Sequence, residues 1–252
     1  MAQHLPSPKA PNYGIDAPEV VLRFSIFGII GVILWLGSIF ALKTGFLPWA
    51  GFIERPGLWM GCSFLATAGV MLWGSKIGKL RLRDKVVSSI PWRGDEAVLD
   101  VGCGHGLMLI AAAKRLRSGK AIGIDLWQRE DQAGNSREAT WLNVQLENVV
   151  TQVELRDGDA RKLPFADNAF DVVVSSWALH NIYEKAGREA AVREIVRTLK
   201  PGGRVAIIDI RHTDEYARVL RTAQMLNVRR TRPNFLFVVP TFTVTATKRN
   251  DA

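Results

Sequence analysis

Val98-Leu99-Asp100-Val101-Gly102-Cys103-Gly104-His105-Gly106 reads as a buried strand that runs into a glycine turn. Three glycines at alternate positions let the backbone turn sharply and leave no Cβ between it and a ligand. Leu107 to Leu116 continues as a helix whose first N–H groups point back at the turn. Asp125 closes the next apolar run, Ala121-Ile122-Gly123-Ile124. It falls about 20 residues past the glycines, where an acid can take both hydroxyls of a ribose. The spacing is Gly-x-Gly-x-Gly and not the Gly-x-Gly-x-x-Gly of dinucleotide enzymes.

Outward from this stretch, strands and helices alternate. The pattern predicts a helix over Lys79–Ile90, ended by Pro91, and strands at Ala97–Val101 and Ala121–Asp125. It then predicts a helix over Asn135–Leu146 and strands near Gln152–Leu155 and at Phe170–Ser175. A helix follows at Arg188–Leu199, with Ala191, Val192, Ile195, Val196 and Leu199 at helical spacing. Arg204–Asp209 is the next strand and Tyr216–Asn227 the next helix. Phe235–Val239 and Phe242–Thr247, broken by Pro240, read as the last two strands. Alternating βα units imply a parallel sheet covered on both faces. Ligands in such sheets sit beyond the carboxyl ends of the strands, where Asp100, Asp125, Asp159 and Ser176 all fall.

These residues resemble the class I S-adenosylmethionine (SAM)-dependent methyltransferases. The first family motif, an acid and then x-Gly-x-Gly-x-Gly, is met by Asp100, Gly102, Gly104 and Gly106. Asp125, Gly158-Asp159-Ala160, Leu163-Pro164-Phe165, Phe170-Asp171-Val172-Val173-Val174-Ser175 and Leu199-Lys200-Pro201-Gly202-Gly203 follow in the family order. The match runs from about Asp84 to Lys248 and is similar to the subgroup that includes quinone-biosynthesis methyltransferases. The resemblance implies a Rossmann-like α/β sheet of seven strands, ordered 3-2-1-4-5-7-6 with strand seven antiparallel, and SAM as cofactor. It implies that Asp100 serves the methionine end of SAM, that Asp125 takes the ribose, and that Asp159 with Ala160 meets the adenine. Leu126 and Trp127 follow Asp125, where an apolar side chain can cover the adenine. Gly102, Cys103, Gly104, Gly106 and Ser176 complete the expected cofactor set. The residues after strand four, Trp177, His180 and Asn181, fall where the family shapes its acceptor site. His180 has the residue type for a general base, or else it packs within the loop. Asp171 reads as structural.

The bulk numbers bear on partners. A net charge of +9 over 252 residues suggests an anionic partner, nucleic acid or anionic lipid. Two cysteines, Cys62 in an apolar run and Cys103 in the glycine turn, form no disulfide framework. Cys103 reads as a small residue fitting a tight loop. No Cys/His/Asp cluster has metal-ligand spacing, so no metal is expected.

Two runs lack any charge, Phe24–Leu42 and Gly57–Ser75, each 19 residues long. Each suffices to cross a hydrocarbon core about 30 Å thick. They predict a transmembrane helical hairpin over residues 21–75, preceded by a flexible segment over 1–20 and followed by the methyltransferase domain over 76–252. Trp49, Trp59 and Trp73 suit the interfaces, and Gly28, Gly31, Gly61 and Gly69 suit close helix approach. Lys76, Lys79, Arg81, Arg83 and Lys85 follow the second run, so the positive-inside bias predicts a cytoplasmic N-terminus and catalytic domain. The expectation is a membrane-anchored methyltransferase acting on a lipid-like or hydrophobic small molecule, with no nucleic-acid partner. A protein or nucleic-acid methyltransferase, or a non-catalytic SAM-binding protein, stays open at this point.

Overall fold

The computed structural model describes residues 10–128 and 134–250. They fall into two units, residues 15–78 and a second made of residues 10–14 with the chain from Lys79 onward.

The first unit is a helix pair. Helix α1 spans Pro18–Thr44, with Pro18 at its first turn, and it ends at Gly45 (φ 70°), whose N–H bonds back to Ala41 and Leu42 carbonyls. At 1.5 Å per residue its 27 residues reach about 40 Å. A 3₁₀ turn at Pro48–Ala50 leads into α2, Gly51–Trp73, and a π turn over Gly74–Gly78 follows. Both helices are long and apolar enough to cross a membrane, and most of their apolar surface is unburied. They touch where side chains vanish. A Cβ on Gly31 would lie 2.4 Å from the Gly61 nitrogen, and one on Gly57 would lie 2.8 Å from the Trp35 nitrogen. Gly57 and Gly61 are four residues apart, so both fall on one helix face and admit the partner's backbone. Gly28 meets Leu65 in the same seam, but Gly69, expected to share it, faces open space. Phe64 packs against Phe24 and Phe27 at 5.5 and 5.6 Å.

The second unit holds a seven-stranded sheet in the order β3-β2-β1-β4-β5-β7-β6. In chain order its elements are α3 (Lys79–Ser88), β1 (Ala97–Val101), α4 (Leu107–Ala113), β2 (Lys120–Asp125), α5 (Arg137–Leu146), β3 (Val153–Asp157), β4 (Phe170–Ser176), α6 (Lys185–Thr198), β5 (Leu199–Asp209), α7 (Thr213–Thr222), β6 (Leu226–Arg230) and β7 (Phe242–Thr247). β1 to β5 pair in parallel, and β7 runs antiparallel to both β5 and β6. Alternate residues of the central strands serve opposite faces. Val98, Val172, Val174, Ala206 and Ile208 pack toward α3, α4 and α5, while Leu99, Val101, Val173, Val205 and Ile207 pack toward α6 and α7.

Three expectations are corrected. The sixth strand is Leu226–Arg230, and the apolar run Phe235–Val239 belongs to the loop before β7. An edge strand half exposed to solvent needs few apolar residues, so Leu-Asn-Val-Arg-Arg suffices there, while the more apolar run packs elsewhere. α4 stops at Ala113, three residues early, in a turn closed by Arg115 N–H on the Ala112 carbonyl.

The third correction concerns the amino-terminal segment expected to be flexible over 1–20. Residues 1–9 lie outside the described residues, but Asn12 to Gly14 are held firmly. Tyr13 is buried in the core beside α3 and donates its hydroxyl hydrogen to Glu147 at 2.7 Å. Asn12 exchanges two 2.9 Å hydrogen bonds with the Asn143 side chain, and buried Lys79 donates to the Tyr13 and Gly14 carbonyls. The α/β domain therefore includes residues 12–14 as well as the chain from Lys79 onward. Burial lifts the Tyr13 hydroxyl, with its Glu147 partner, well above the ordinary tyrosine range. Tyr13→Ala should cost about 3 kcal/mol, as expected for emptying a large aromatic site. The domain's unfolding transition in the detergent-solubilised full chain checks this.

Candidate active site

The glycine turn begins where β1 ends. Gly102, Gly104 and Gly106 have φ of 70°, 47° and 83°, in the region that favours glycine. A Cβ on Gly102 would sit 2.2 Å from the Ala178 Cβ, so the turn closes against the segment after β4 only because that atom is missing. The N–H groups of Gly102 and Cys103 bond the Ile124 carbonyl at 2.8 and 3.1 Å, and Gly106 N–H bonds the Cys103 carbonyl. These donors are used within the protein. The glycines thus serve by clearance and backbone shape, not as free N–H groups. Gly102→Ala should disorder the turn and abolish ligand-induced stabilisation by SAM. Comparing melting curves with and without SAM tests it.

Asp125, at the end of β2, organises the turn. Its Oδ2 accepts Gly104 N–H at 2.8 Å, and its Oδ1 accepts Trp127 N–H at 2.7 Å and the Asn135 side-chain amide at 3.2 Å. Leu126 beside it is half exposed. Trp127 adopts φ 57° and donates Nε1–H to Asp157 at 2.7 Å. Asp100 is fully buried at the end of β1. Its Oδ2 accepts the Leu109 N–H of α4 at 2.8 Å, while Oδ1 has no partner. Burial, aided by the nearby charge of Asp125, pushes the Asp100 carboxyl up to about 8 despite the Leu109 hydrogen bond. Cys103 is buried too, and burial with Asp100 and Asp125 alongside raises its thiol well above the usual range. A neutral thiol of this kind is no nucleophile.

Asp159 is gripped by Arg161, whose Nε and Nη2 reach it at 2.9 and 2.6 Å, and that pairing holds the carboxyl below the usual range. Ala160 packs against the second core cluster. Asp171 has a structural task at the opposite end of the sheet, where it accepts Ala97 N–H and the Lys200 ammonium at 2.9 and 2.7 Å.

After β4, Ser176 leads to Trp177, held at φ 49° with its N–H on the Ile208 carbonyl at 2.8 Å. The Trp177 ring lies against Phe237 at 4.6 Å, and its buried Nε1–H has no partner among the described residues. A 3₁₀ turn, Leu179–Asn181, then carries His180. Its Nδ1 lies 2.6 Å from Oδ1 of Asp209, the fully buried last residue of β5, without the geometry of a full hydrogen bond. Asp209 is fixed by three donors: Ile210 N–H at 2.7 Å, His180 N–H at 3.1 Å and the Tyr216 hydroxyl at 3.2 Å. Burial and the Asp209 carboxylate raise the Tyr216 hydroxyl far above its ordinary value. Asn181 N–H closes the turn on the Ala178 carbonyl. Asp209 was not among the candidates read from sequence. The signal available is its place at the carboxyl end of strand five, beside the ends that carry Asp100, Asp125 and Ser176.

Residues 99–207 match the methyltransferase domain family. The chain is 34% identical over 134 residues to a demethylmenaquinone methyltransferase of Lactiplantibacillus plantarum, covering 53% of each. It is 32% identical over 129 residues to a 27-O-demethylrifamycin SV methyltransferase of Amycolatopsis mediterranei, covering 51% of this chain and 44% of that one. A SAM-dependent methyltransferase from Aquifex aeolicus shares the fold, with TM-score 0.52 and 24% identity over 68% of this chain and 93% of its own. The unit built on this sheet is a class I SAM-dependent methyltransferase domain. The chain spans about half the length of the curated relatives it matches.

This methyltransferase domain fits SAM on its own geometry. Oδ1 of Asp100 is a buried acceptor awaiting a donor, beside a glycine turn whose shape is fixed by the Ala178 contact at Gly102. Asp125 keeps one lone pair, on Oδ2, for a hydroxyl, since Oδ2 accepts only Gly104 N–H while Oδ1 already accepts Trp127 N–H and the Asn135 amide. Among the described residues there is no group of three or more His, Cys, Asp or Glu arranged to hold a metal.

Proposed function

We propose that this chain is a membrane-anchored SAM-dependent methyltransferase that methylates a lipid-like or hydrophobic small molecule at a nucleophile activated by His180. The His180–Asp209 pair carries this reading, because it stands one short turn from the end of β4 and its carboxylate is fully buried. Asp100, Gly102, Cys103, Gly104, Gly106, Asp125, Leu126, Asp159, Ala160 and Ser176 form the cofactor side, and Trp177, His180 and Asn181 the acceptor side.

When bound, SAM supplies an electrophilic sulfonium methyl. The protein aligns the acceptor and removes water. Nδ1 of His180 faces Oδ1 of Asp209 at 2.6 Å, so Nε2 is the atom available to take the acceptor's proton. Asp209 steadies the resulting imidazolium by charge and holds the ring in one orientation, with Ile210 N–H and Tyr216 keeping the carboxylate in place. The demethylmenaquinone relatives support an apolar acceptor, and so do the exposed apolar flanks of α1 and α2. Incubating the full chain with radiolabelled SAM and total membrane lipid, then identifying the labelled product by mass, tests the function. Label confined to protein or nucleic acid refutes it.

The hairpin's orientation has its own test. Lys76, Arg81, Arg83 and Lys85 lie past the second helix, against Lys43 and Arg55 between the helices. That excess assigns the domain to the cytoplasmic side. In a Cys62→Ser background, a cysteine at Phe52, which is 84% exposed, should react with a membrane-impermeant thiol reagent from outside intact cells. Reaction only after lysis reverses the orientation.

A further inference from the structure

The loop joining β6 to β7, residues 231–241, has no part in the cofactor site. β6 ends at Arg230, and β7 begins at Phe242 opposite Asp209. The loop therefore lies at the carboxyl end of the parallel strands, the end that carries Asp125, Ser176 and Asp209. It is a built structure. Asn234 and Thr241 exchange backbone hydrogen bonds of 2.8 and 2.9 Å at its base, and Val238 N–H returns to the Phe235 carbonyl at 2.9 Å. Val238 holds φ 74°, which a β-branched residue adopts only under outside constraint. On its inner side Phe237 stacks on Trp177 and Leu236 packs on the core. On its outer side Phe235 and Val239 are 61% and 44% exposed, next to exposed Pro240.

Charge flanks this apolar tip. Arg229 and Arg232 are exposed and have no acidic partner among the described residues. Arg230 does have partners. It reaches Asp214 at 3.1 Å and covers the Phe242 ring at 3.7 Å. We propose that residues 229–241 form a membrane-contact loop, with Phe235 and Val239 entering the interface of an anionic bilayer and Arg229 and Arg232 meeting lipid phosphates. An apolar tip ringed by unpaired guanidinium groups matches that boundary, because acyl chains take the tip while phosphates take the charge. Since the same loop stacks on Trp177, the contact would bring the acceptor mouth to the bilayer surface. It does not depend on the acceptor's identity, and its test reads lipid contact rather than turnover.

The full chain, with Cys62→Ser, is labelled with a bimane dye at Phe235→Cys and, separately, at Thr151→Cys beside the far end of β3. Each is reconstituted in vesicles of phosphatidylcholine alone or mixed with phosphatidylglycerol, with nitroxide-bearing lipid as quencher. Strong quenching at 235 in the anionic vesicles, little at 151, and a loss of contact of about fivefold per arginine in Arg229→Gln and Arg232→Gln are expected. Equal quenching at 235 and 151, or no response to phosphatidylglycerol, overturns the proposal. Dye shielding that follows protein concentration in detergent also overturns it, because a second copy then covers the loop. Val239→Cys repeats the reading where Phe235→Cys fails to fold.

Discussion

His180→Ala lowers methyl transfer by about two to four orders of magnitude, the usual worth of a positioned general base, while SAM affinity stays within about threefold. The separation follows from where the residue sits. His180 lies on the turn after β4, in contact with Asp209, whereas the residues fitted to the cofactor cluster on β1, β2 and the glycine turn. Asp209→Asn is the more searching variant. It keeps the size of the side chain and one acceptor oxygen, enough for either Ile210 N–H or the His180 N–H and Tyr216 pair, but it removes the negative charge beside Nδ1. Its rate should fall with that of His180→Ala, and the double mutant should be little worse than either single one, because the two act as a unit. A fall in kcat with KM and SAM affinity unchanged in Asp209→Asn distinguishes this from simple unfolding. Unchanged turnover in His180→Ala on a membrane-lipid extract removes the base from the mechanism.

Asp125→Ala weakens SAM binding by about 1.5–3 kcal/mol, roughly ten- to a hundredfold, from the loss of a hydrogen bond to a charged acceptor. The geometry adds a second effect. The carboxylate also holds Gly104 N–H, Trp127 N–H and the Asn135 amide, so its removal loosens the turn before any ligand arrives. A modest fall in thermal stability should therefore accompany the lost affinity. Asp125→Asn retains one acceptor oxygen and should be intermediate in both respects. Calorimetric titration of SAM into the full chain decides the matter, and binding within about threefold of wild type means that the ribose is held elsewhere.

How much of this was legible beforehand differs between the cofactor and acceptor halves. The glycine turn, Asp100 and Asp125 are neighbours in sequence or one βα unit apart, and local backbone geometry alone dictates what residues can stand there. The strand order followed from the resemblance, and the paired strands agree with it at every position in the sheet. Asp209 carried no such mark. It lies 29 residues from His180, and only the pairing of β4 with β5 brings the two together. The sixth strand departs from the sequence pattern for a related reason. Phe235–Val239 is the more apolar segment, but its burial comes from a single ring stacked on Trp177 and a core contact at Leu236. Prolines around Tyr13 give its segment the pattern of a flexible leader, and its burial depends on Lys79, Asn143 and Glu147, all distant in the chain.

The sequence by itself determined two apolar runs of membrane-spanning length, an alternating α/β domain and a nucleotide-type turn with its acid. Each of these is written in local spacing, where glycine freedom and hydrophobic period act over a few residues. Only the tertiary structure decided which acid backs His180, that residues 12–14 complete the domain, that Gly57 and not Gly69 closes the helix seam, and that an apolar run becomes a loop at the mouth of the site. Those outcomes depend on which surfaces meet across the sheet and between helices, and contacts between residues far apart in sequence leave no periodic trace in it.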